Sequence, residues 1–268
     1  MKKILAAVLC MVMVLATFAG CGGTADTAGS APSGEERTTF TVGFDAEYPP
    51  FGYMADDGSY TGFDLELAQA VCELEGWEFV ATPIDWDAKD MELNSGSIDC
   101  IWNGFTINGR EDDYAWSKPY CDNSQVVVVK EGSGISTLAD LAGKTVGVQT
   151  ASAAETVLTD PEQQKELGDT FGKMNDFKDY NTAFAELDAG AIDALAVDIG
   201  VANYQLSSRE GFVILEEALN SEQYGVGFKL DNTELRDIID ADLQKLYEDG
   251  TVTELAEKYQ IADMICLG

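Results

Sequence analysis

The chain has 268 residues, 46% of them hydrophobic, with 48 acidic against 16 basic side chains and a formal net charge of −32. That balance excludes a nucleic-acid backbone as partner, which needs a basic footprint, and opposes docking on anionic lipid by charge. Histidine is absent, which excludes imidazole chemistry, and with no CxxC among six cysteines a zinc or other metal site is not expected.

Lys2 and Lys3 precede an apolar run, Ile4 to Phe18, and then Ala19-Gly20-Cys21. A short basic region before an apolar stretch too short to span a bilayer predicts a signal peptide over 1–20. The small residues before Cys21 predict lipidation there, although Phe18 stands where such motifs usually carry Leu. An ordinary signal peptide followed by a chance cysteine is the alternative. Residues 21–38 are rich in Gly, Ser, Ala and Thr and predict a flexible tether. The mature protein is thus expected outside the cell, anchored at the outer face of the cytoplasmic membrane or periplasmic. Export permits disulfides, but Cys72, Cys100, Cys121 and Cys266 allow three full pairings or free thiols.

From residue 39 the pattern is regular. "TFTVGFD" (39–45) alternates as a strand ending at Asp45, and two prolines make "AEYPPFGY" an extended loop. "DLELAQAVCELEG" (64–76) predicts a helix with Asp64 as N-cap, Leu67, Val71 and Leu74 on one face, and Gly76 closing it. "WEFVATPI" is a second strand, a helix through Met91 and Leu93 stops near Gly96, and "IDCIW" (98–102) is a third strand. This β-α-β-α-β order implies parallel strands packed between helices.

"SQVVVVK" (124–130) predicts a long strand, after which a short helix, a strand ending at Gln149 and a helix opening at "TASAAETVL" restart the scheme. Glu-Leu-x-x-Gly-x-Ile-Asp occurs at 92–99 and again at 186–193. This marks equivalent helix–Gly–strand units in two similar lobes. Helices from Asn232 to Tyr247 and through Leu255 close the chain and are expected to pack on the first lobe. The fold class is therefore α/β with two lobes, 39–126 plus 222–268 and 127–221. Two crossings near 124–130 and 218–228 join them, with a ligand cleft between.

Strand ends face the crevice in open α/β sheets. They carry Asp45 to Tyr48, Trp102 to Thr106 followed by Arg110, Gln149 to Ser152, and Asp198. An α-amino acid suits this set. Its carboxylate wants the planar fork of Arg110, helped by Thr106 and by the helix start at Thr150, Ala151 and Ser152. Its ammonium wants Asp198, with Thr106 Oγ1 or the Gly104 carbonyl beside it. Against this, Arg110 also reads as a surface ion pair with Glu111, Asp112 or Asp113, which composition alone favours, and Asp198 as a helix cap.

The stretch from about 39 to 262 resembles the family 3 extracellular solute-binding proteins of amino-acid ABC importers. The resemblance is carried by "DAEYPPFGY…GFDLELAQAV" (45–71), "SGSIDCIWNGFTINGREDDYAWSKPY" (95–120), "LAGKTVGVQTASA" (141–153), "AGAIDALAVD" (189–198), "QYGVGF" (223–228) and "LYEDGTVTELAEKY" (246–259). It implies a type II periplasmic-binding fold and a side-chain pocket between Tyr48 and Trp86. Asp45 and Asn103 would lie at the polar end of that pocket, and Phe51, Phe105 and Gln149 would complete it. One departure stands out: only Ile107, Asn108 and Gly109 separate Thr106 from Arg110, where the family usually has four residues.

The expected function is capture of a polar neutral or basic amino acid, or cystine, for a membrane permease. No lysine or second arginine maps to the pocket, which disfavours glutamate and aspartate. The expected partners are the ABC permease and ATPase subunits, with membrane contact through the lipid only. A monomer without cofactor or metal is expected, and no enzyme activity. The alternatives are a ligand-sensing receptor domain and a carboxylate-based dehydratase or lyase using Asp45 and Asp198.

Overall fold

The computed structural model describes residues 37–268, so the signal peptide, Cys21 and nearly all of the tether expected from sequence lie outside the described residues. Two five-stranded sheets organise the chain. In the first, Glu78–Pro83, Thr39–Phe44 and Cys100–Ile101 run parallel, and Gly227–Phe228 and Ala115–Trp116 extend the sheet antiparallel. The second has the same plan. Lys173–Phe177, Thr145–Gln149 and Ala194–Asp198 are parallel, followed by Gln125–Lys130 and Phe212–Ile214 in antiparallel sense. Val126 to Val129 are all buried, as a strand covered on both faces requires. Between the sheets the chain passes out along Cys121–Asn123 and back along Glu222–Tyr224, and these two segments pair antiparallel.

The repeated octapeptide has a structural counterpart. Gly96 and Gly190 both end helices in the left-handed region, at φ 81° and 76°. Asp99 accepts a bond from Thr41 N at 2.7 Å, and Asp193 one from Thr145 N at 2.8 Å, each tying the strand entrance to its parallel neighbour. The repeated isoleucines pack against glycines of those neighbours. A Cβ on Gly43 would lie 2.3 Å from Ile98 Cδ1, and one on Gly147 2.6 Å from Ile192 Cδ1.

Three local expectations need correction. The helix Phe63–Glu75 is capped by Gly62, not Asp64. The Phe51 carbonyl carbon and oxygen lie within 2.5 Å of where a Gly62 Cβ would sit, so only glycine fits at that cap. Asp64 falls inside the first turn, fully buried. There its carboxylate accepts from Gly104 N at 2.6 Å and Tyr120 OH at 2.8 Å. Leu74 faces solvent rather than the core, and the third strand is confined to Cys100–Ile101. Helices Thr233–Glu248 and Thr251–Lys258 lie on Phe63–Glu75. Cys72, Cys100, Cys121 and Cys266 are free thiols. Among the described residues, no helix is long and apolar enough to cross a membrane.

Candidate functional site

The loops at the strand ends of the two sheets meet around a small cavity. Tyr48, Trp86, Gly104, Thr106 and Arg110 wall it from one side, and Gln149, Ser152, Ala153 and Asp198 from the other. Several contacts join the two sides. Gln149 Nε2 donates to Asp45 Oδ2 at 2.6 Å, Lys178 pairs with Asp85 at 2.6 Å, and Asn181 donates to Glu47.

Arg110 is positioned by a tight turn. Its N–H bonds Ile107 O at 2.9 Å with Gly109 at φ 81°, a left-handed residue that absorbs the shortened loop. The Trp116 indole holds the Arg110 carbonyl at 2.8 Å. The guanidinium lies 5.3 Å from the Phe105 ring centroid and donates to Thr106 O at 3.2 Å and Ala151 O at 3.4 Å. Among the described residues it has no carboxylate within 4 Å, so the surface ion pair with Glu111, Asp112 or Asp113 is not formed. Arg110 keeps unused donors in the cavity wall.

The loop opposite contributes less than its sequence suggests. Thr150 directs both its N–H and its hydroxyl to Phe177 O, at 2.9 and 3.2 Å. The Ala151 N–H is held by the Glu155 carboxylate at 2.6 Å. Neither residue has a donor left for a ligand, and neither lines the cavity. Ser152 does line it, as the N-cap of Ala153–Thr159, its hydroxyl accepting from Glu155 N.

No lysine lines the cavity, but Lys89 stands just behind its wall. It is only 4% exposed, lies 5.2 Å from the Trp86 ring centroid, and donates to Trp86 O at 3.3 Å and Ala151 O at 3.4 Å. Burial, and then the neighbouring Arg110 charge, push its ammonium down to about 8. Lys89 and Arg110 share the Ala151 carbonyl, so both cations stand at the same end of the site.

Asp198 stands at the other end, at the last position of its strand and before the helix Ile199–Leu206. Its side chain makes no cap bond. Oδ1 accepts from Gln125 Nε2 at 2.6 Å, Tyr224 OH at 2.7 Å and Asn123 Nδ2 at 2.8 Å, whereas Oδ2 has only Tyr180 OH at 3.5 Å. Burial, and next the Glu222 charge, raise its carboxyl to about 6. Thr106 Oγ1 donates to Glu222 Oε1 at 2.8 Å. Its proton is committed there, so its assignment as a carboxylate donor fails while its lone pairs stay available.

The remaining residues divide into wall and support. Tyr48, Trp86 and Gln149 line the cavity. Asp45 is buried behind Gln149, also accepting from Glu47 N at 2.8 Å, and burial raises it to about 6. Asn103 Oδ1 accepts from Asp45 N at 2.9 Å and so aims that loop. Phe51 and Phe105 are fully buried supports, the first 5.9 Å from Tyr48 and the second 5.4 Å from Trp86 between ring centroids. Outside, a hollow shares Trp86 with the cavity and is rimmed by Asp45, Glu47, Glu92 and Asp179, and by Asp85 paired with Lys178.

Sequence reasoning missed Lys89, Tyr180, Tyr224, Glu222 and the amides Asn123 and Gln125. Lys89 left one trace. It sits four residues before buried Leu93, a core-facing helical position where a lysine is out of place.

The sequence model described as "Bacterial extracellular solute-binding proteins, family 3" matches residues 40–262. The chain is 31% identical over 234 residues to the L-cystine-binding protein TcyJ of Escherichia coli, covering 86% of this chain and 85% of that one. It is 31% identical over 238 residues to the arginine-binding extracellular protein ArtP of Bacillus subtilis, with 86% and 90% covered. A histidine-bound substrate-binding protein of a Streptococcus pneumoniae ABC uptake transporter superposes with a TM-score of 0.78 at 36% identity, over 82% of this chain and 92% of that one. The fold is that of the type II periplasmic binding proteins.

Proposed function

The chain belongs to the bacterial extracellular solute-binding proteins of family 3, and from that membership we propose that it captures a polar neutral or basic amino acid, or cystine, for an ABC permease. One observation carries the reading. A single cavity has in its wall a guanidinium, Arg110, with no carboxylate partner among the described residues, and a buried carboxylate, Asp198, with no cationic partner among them. An unpaired buried charge such as Asp198 is costly, Arg110 beside the cavity is half-buried with donors to spare, and a zwitterion answers both at once. Arg110, with Lys89 behind it, takes the α-carboxylate. Asp198, with Thr106 Oγ1, takes the ammonium.

The ligand side chain lies between Tyr48 and Trp86 and points to Gln149, with Asp45 buried behind it. Lys89 supplies positive charge beside Arg110, and a side-chain carboxylate would lie against Gln149 with the Asp45 charge behind it. The acidic rim beyond suits a cation more than an anion. Lobes 39–126 plus 222–268 and 127–221 close about the paired crossings and present the loaded form to the permease, with Cys21 as the lipid anchor. The relatives are named as amino-acid-binding proteins, and the Streptococcus pneumoniae structure is that of an ABC uptake transporter's binding protein, which supports a carrier without enzyme activity. A thermal-shift screen against the twenty amino acids and cystine tests this. Selective stabilisation by basic, glutamine-like or cystine ligands is expected. Stabilisation by glutamate or aspartate alone would overturn the pocket assignment.

A further inference from the structure

Asp198 and Glu222 come from different segments, the end of a sheet strand and the returning crossing, and both are buried. Two amides on the outgoing chain hold them together. Asn123 Nδ2 donates to Asp198 Oδ1 and Glu222 Oε1, both at 2.8 Å, and Gln125 Nε2 donates to the same two oxygens at 2.6 and 2.8 Å. Each NH₂ has two hydrogens, so all four are committed in a closed ring of two nitrogens and two carboxylate oxygens. The amide oxygens Asn123 Oδ1 and Gln125 Oε1 are left buried without a partner. The amides thus face the carboxylates although their own acceptors go unmet. Asn220 Nδ2 holds the other oxygen, Glu222 Oε2, at 2.9 Å. Among the described residues, no Lys or Arg nitrogen lies within 4 Å of either carboxylate.

Thr106 connects this pair to the cavity. A hydroxyl has one proton and two lone pairs, and the Thr106 proton goes to Glu222 Oε1. Lone pairs are what Thr106 turns toward the cavity it lines.

We propose that Glu222 is a positioning residue for the ligand's cationic end: it fixes Thr106 Oγ1 as an acceptor and adds a second negative charge behind Asp198. The proposal rests on the amino-acid reading only for the identity of that cation. Selectivity follows from the charge count. A neutral group at this position would leave two buried carboxylates without a positive partner, whereas an ammonium brings one positive charge against the two and lowers their net charge from −2 to −1. The ionisable groups facing the pair are Tyr48, Tyr180 from the helix Tyr180–Ala189, and Tyr224 beside Glu222, with Asp45 beyond Tyr180. The tyrosines are neutral at physiological pH, so the group that takes up a proton as pH falls is Asp198. An incoming ammonium expels that proton from the carboxyl to the buffer.

Calorimetry tests this on the full-length protein with L-arginine, L-glutamine and L-cystine, from pH 5 to 8 in buffers of different ionisation enthalpy. Wild type is expected to release up to one proton per ligand near pH 6 and to lose about tenfold in affinity between pH 7.5 and pH 5. Glu222→Gln keeps the acceptor oxygen for Thr106 but removes the charge. It is expected to bind about tenfold more weakly at pH 7.5, with proton release moved to lower pH, and Glu222→Asp is expected to restore the release. Proton release and affinity in Glu222→Gln equal to wild type would overturn the proposal. A carbon-13 NMR titration of the Asp and Glu carboxyls, without ligand, judges the pair independently. Asp198 should titrate at lower pH in Glu222→Gln, and an unmoved titration refutes the coupling. Failure of all three amino acids to bind wild type would instead count against the amino-acid reading.

Discussion

Replacing Arg110 by alanine removes the cationic fork from one wall of the cavity. In the protein its guanidinium uses two terminal nitrogens on main-chain carbonyls at 3.2 and 3.4 Å, both long contacts, and rests on the Phe105 ring. Three of its five N–H groups are therefore unused and can grip a carboxylate. Charge-assisted bonds contribute about 1.5–3 kcal/mol each, and truncating one side of a buried charged pair costs about 2–5 kcal/mol. At about 1.4 kcal/mol per decade, affinity for an α-amino acid should fall between roughly thirtyfold and several thousandfold, and in any case more than tenfold. Folding should suffer little, because the side chain is half-buried and its intramolecular bonds are long. A loss of about 1 kcal/mol lowers the melting temperature by about 2–4 °C in a domain of this size. Titration calorimetry with the ligand found by thermal shift, beside a thermal melt, separates the two effects. Arg110→Lys keeps the charge without the fork and should fall between. Binding by Arg110→Ala within threefold of wild type would refute the role assigned to the guanidinium.

Asp198→Asn should weaken α-amino ligands sharply while des-amino analogues bind as well or better, and equal losses in calorimetry would remove Asp198 from the ammonium site. Lys89→Met replaces a buried cation that has only carbonyl acceptors, so the ligand-free melting temperature should hold or rise while amino-acid affinity drops several-fold. A lower melting temperature with unchanged affinity would make Lys89 purely structural. Burial holds the Asp45 and Asp198 carboxyls up at about 6 and Asp64 at about 7. Acids raised on folding stabilise the native state below their unfolded values near 3.9 and lose that contribution as pH rises through 6–7. The ligand-free melting temperature should therefore fall between pH 4 and pH 7.5, and a steady rise over that window would contradict these assignments. Cys21→Ser should release the protein from membranes without changing ligand affinity, whereas attachment that survives the change would exclude a lipid on Cys21.

Much of this protein was legible in its sequence wherever the signal is local. Glycine after an apolar period marked the helix ends at Gly76, Gly96 and Gly190, and the doubled octapeptide marked two equivalent units, because capping and strand entry depend on neighbours a few residues apart. Arg110 and Asp198 stood out for a related reason, since the strand pattern puts them at strand ends where crevices form. What the sequence left undecided is which polar groups remain free. Thr150 and Ala151 read as ligand donors until Phe177 and Glu155 are seen to hold their hydrogens. Asp64 read as a cap until the Phe51 backbone reserved that position for Gly62. Glu222 is one of 48 acidic residues, and nothing near it in the chain sets it apart. Only tertiary structure brings Asn123, Gln125, Thr106 and Asp198 around it, from segments up to 116 residues away. Hydrogen bonds saturate, so a donor's availability is decided by every acceptor the fold brings within 3 Å, and that is a property of the folded chain rather than of any stretch of it.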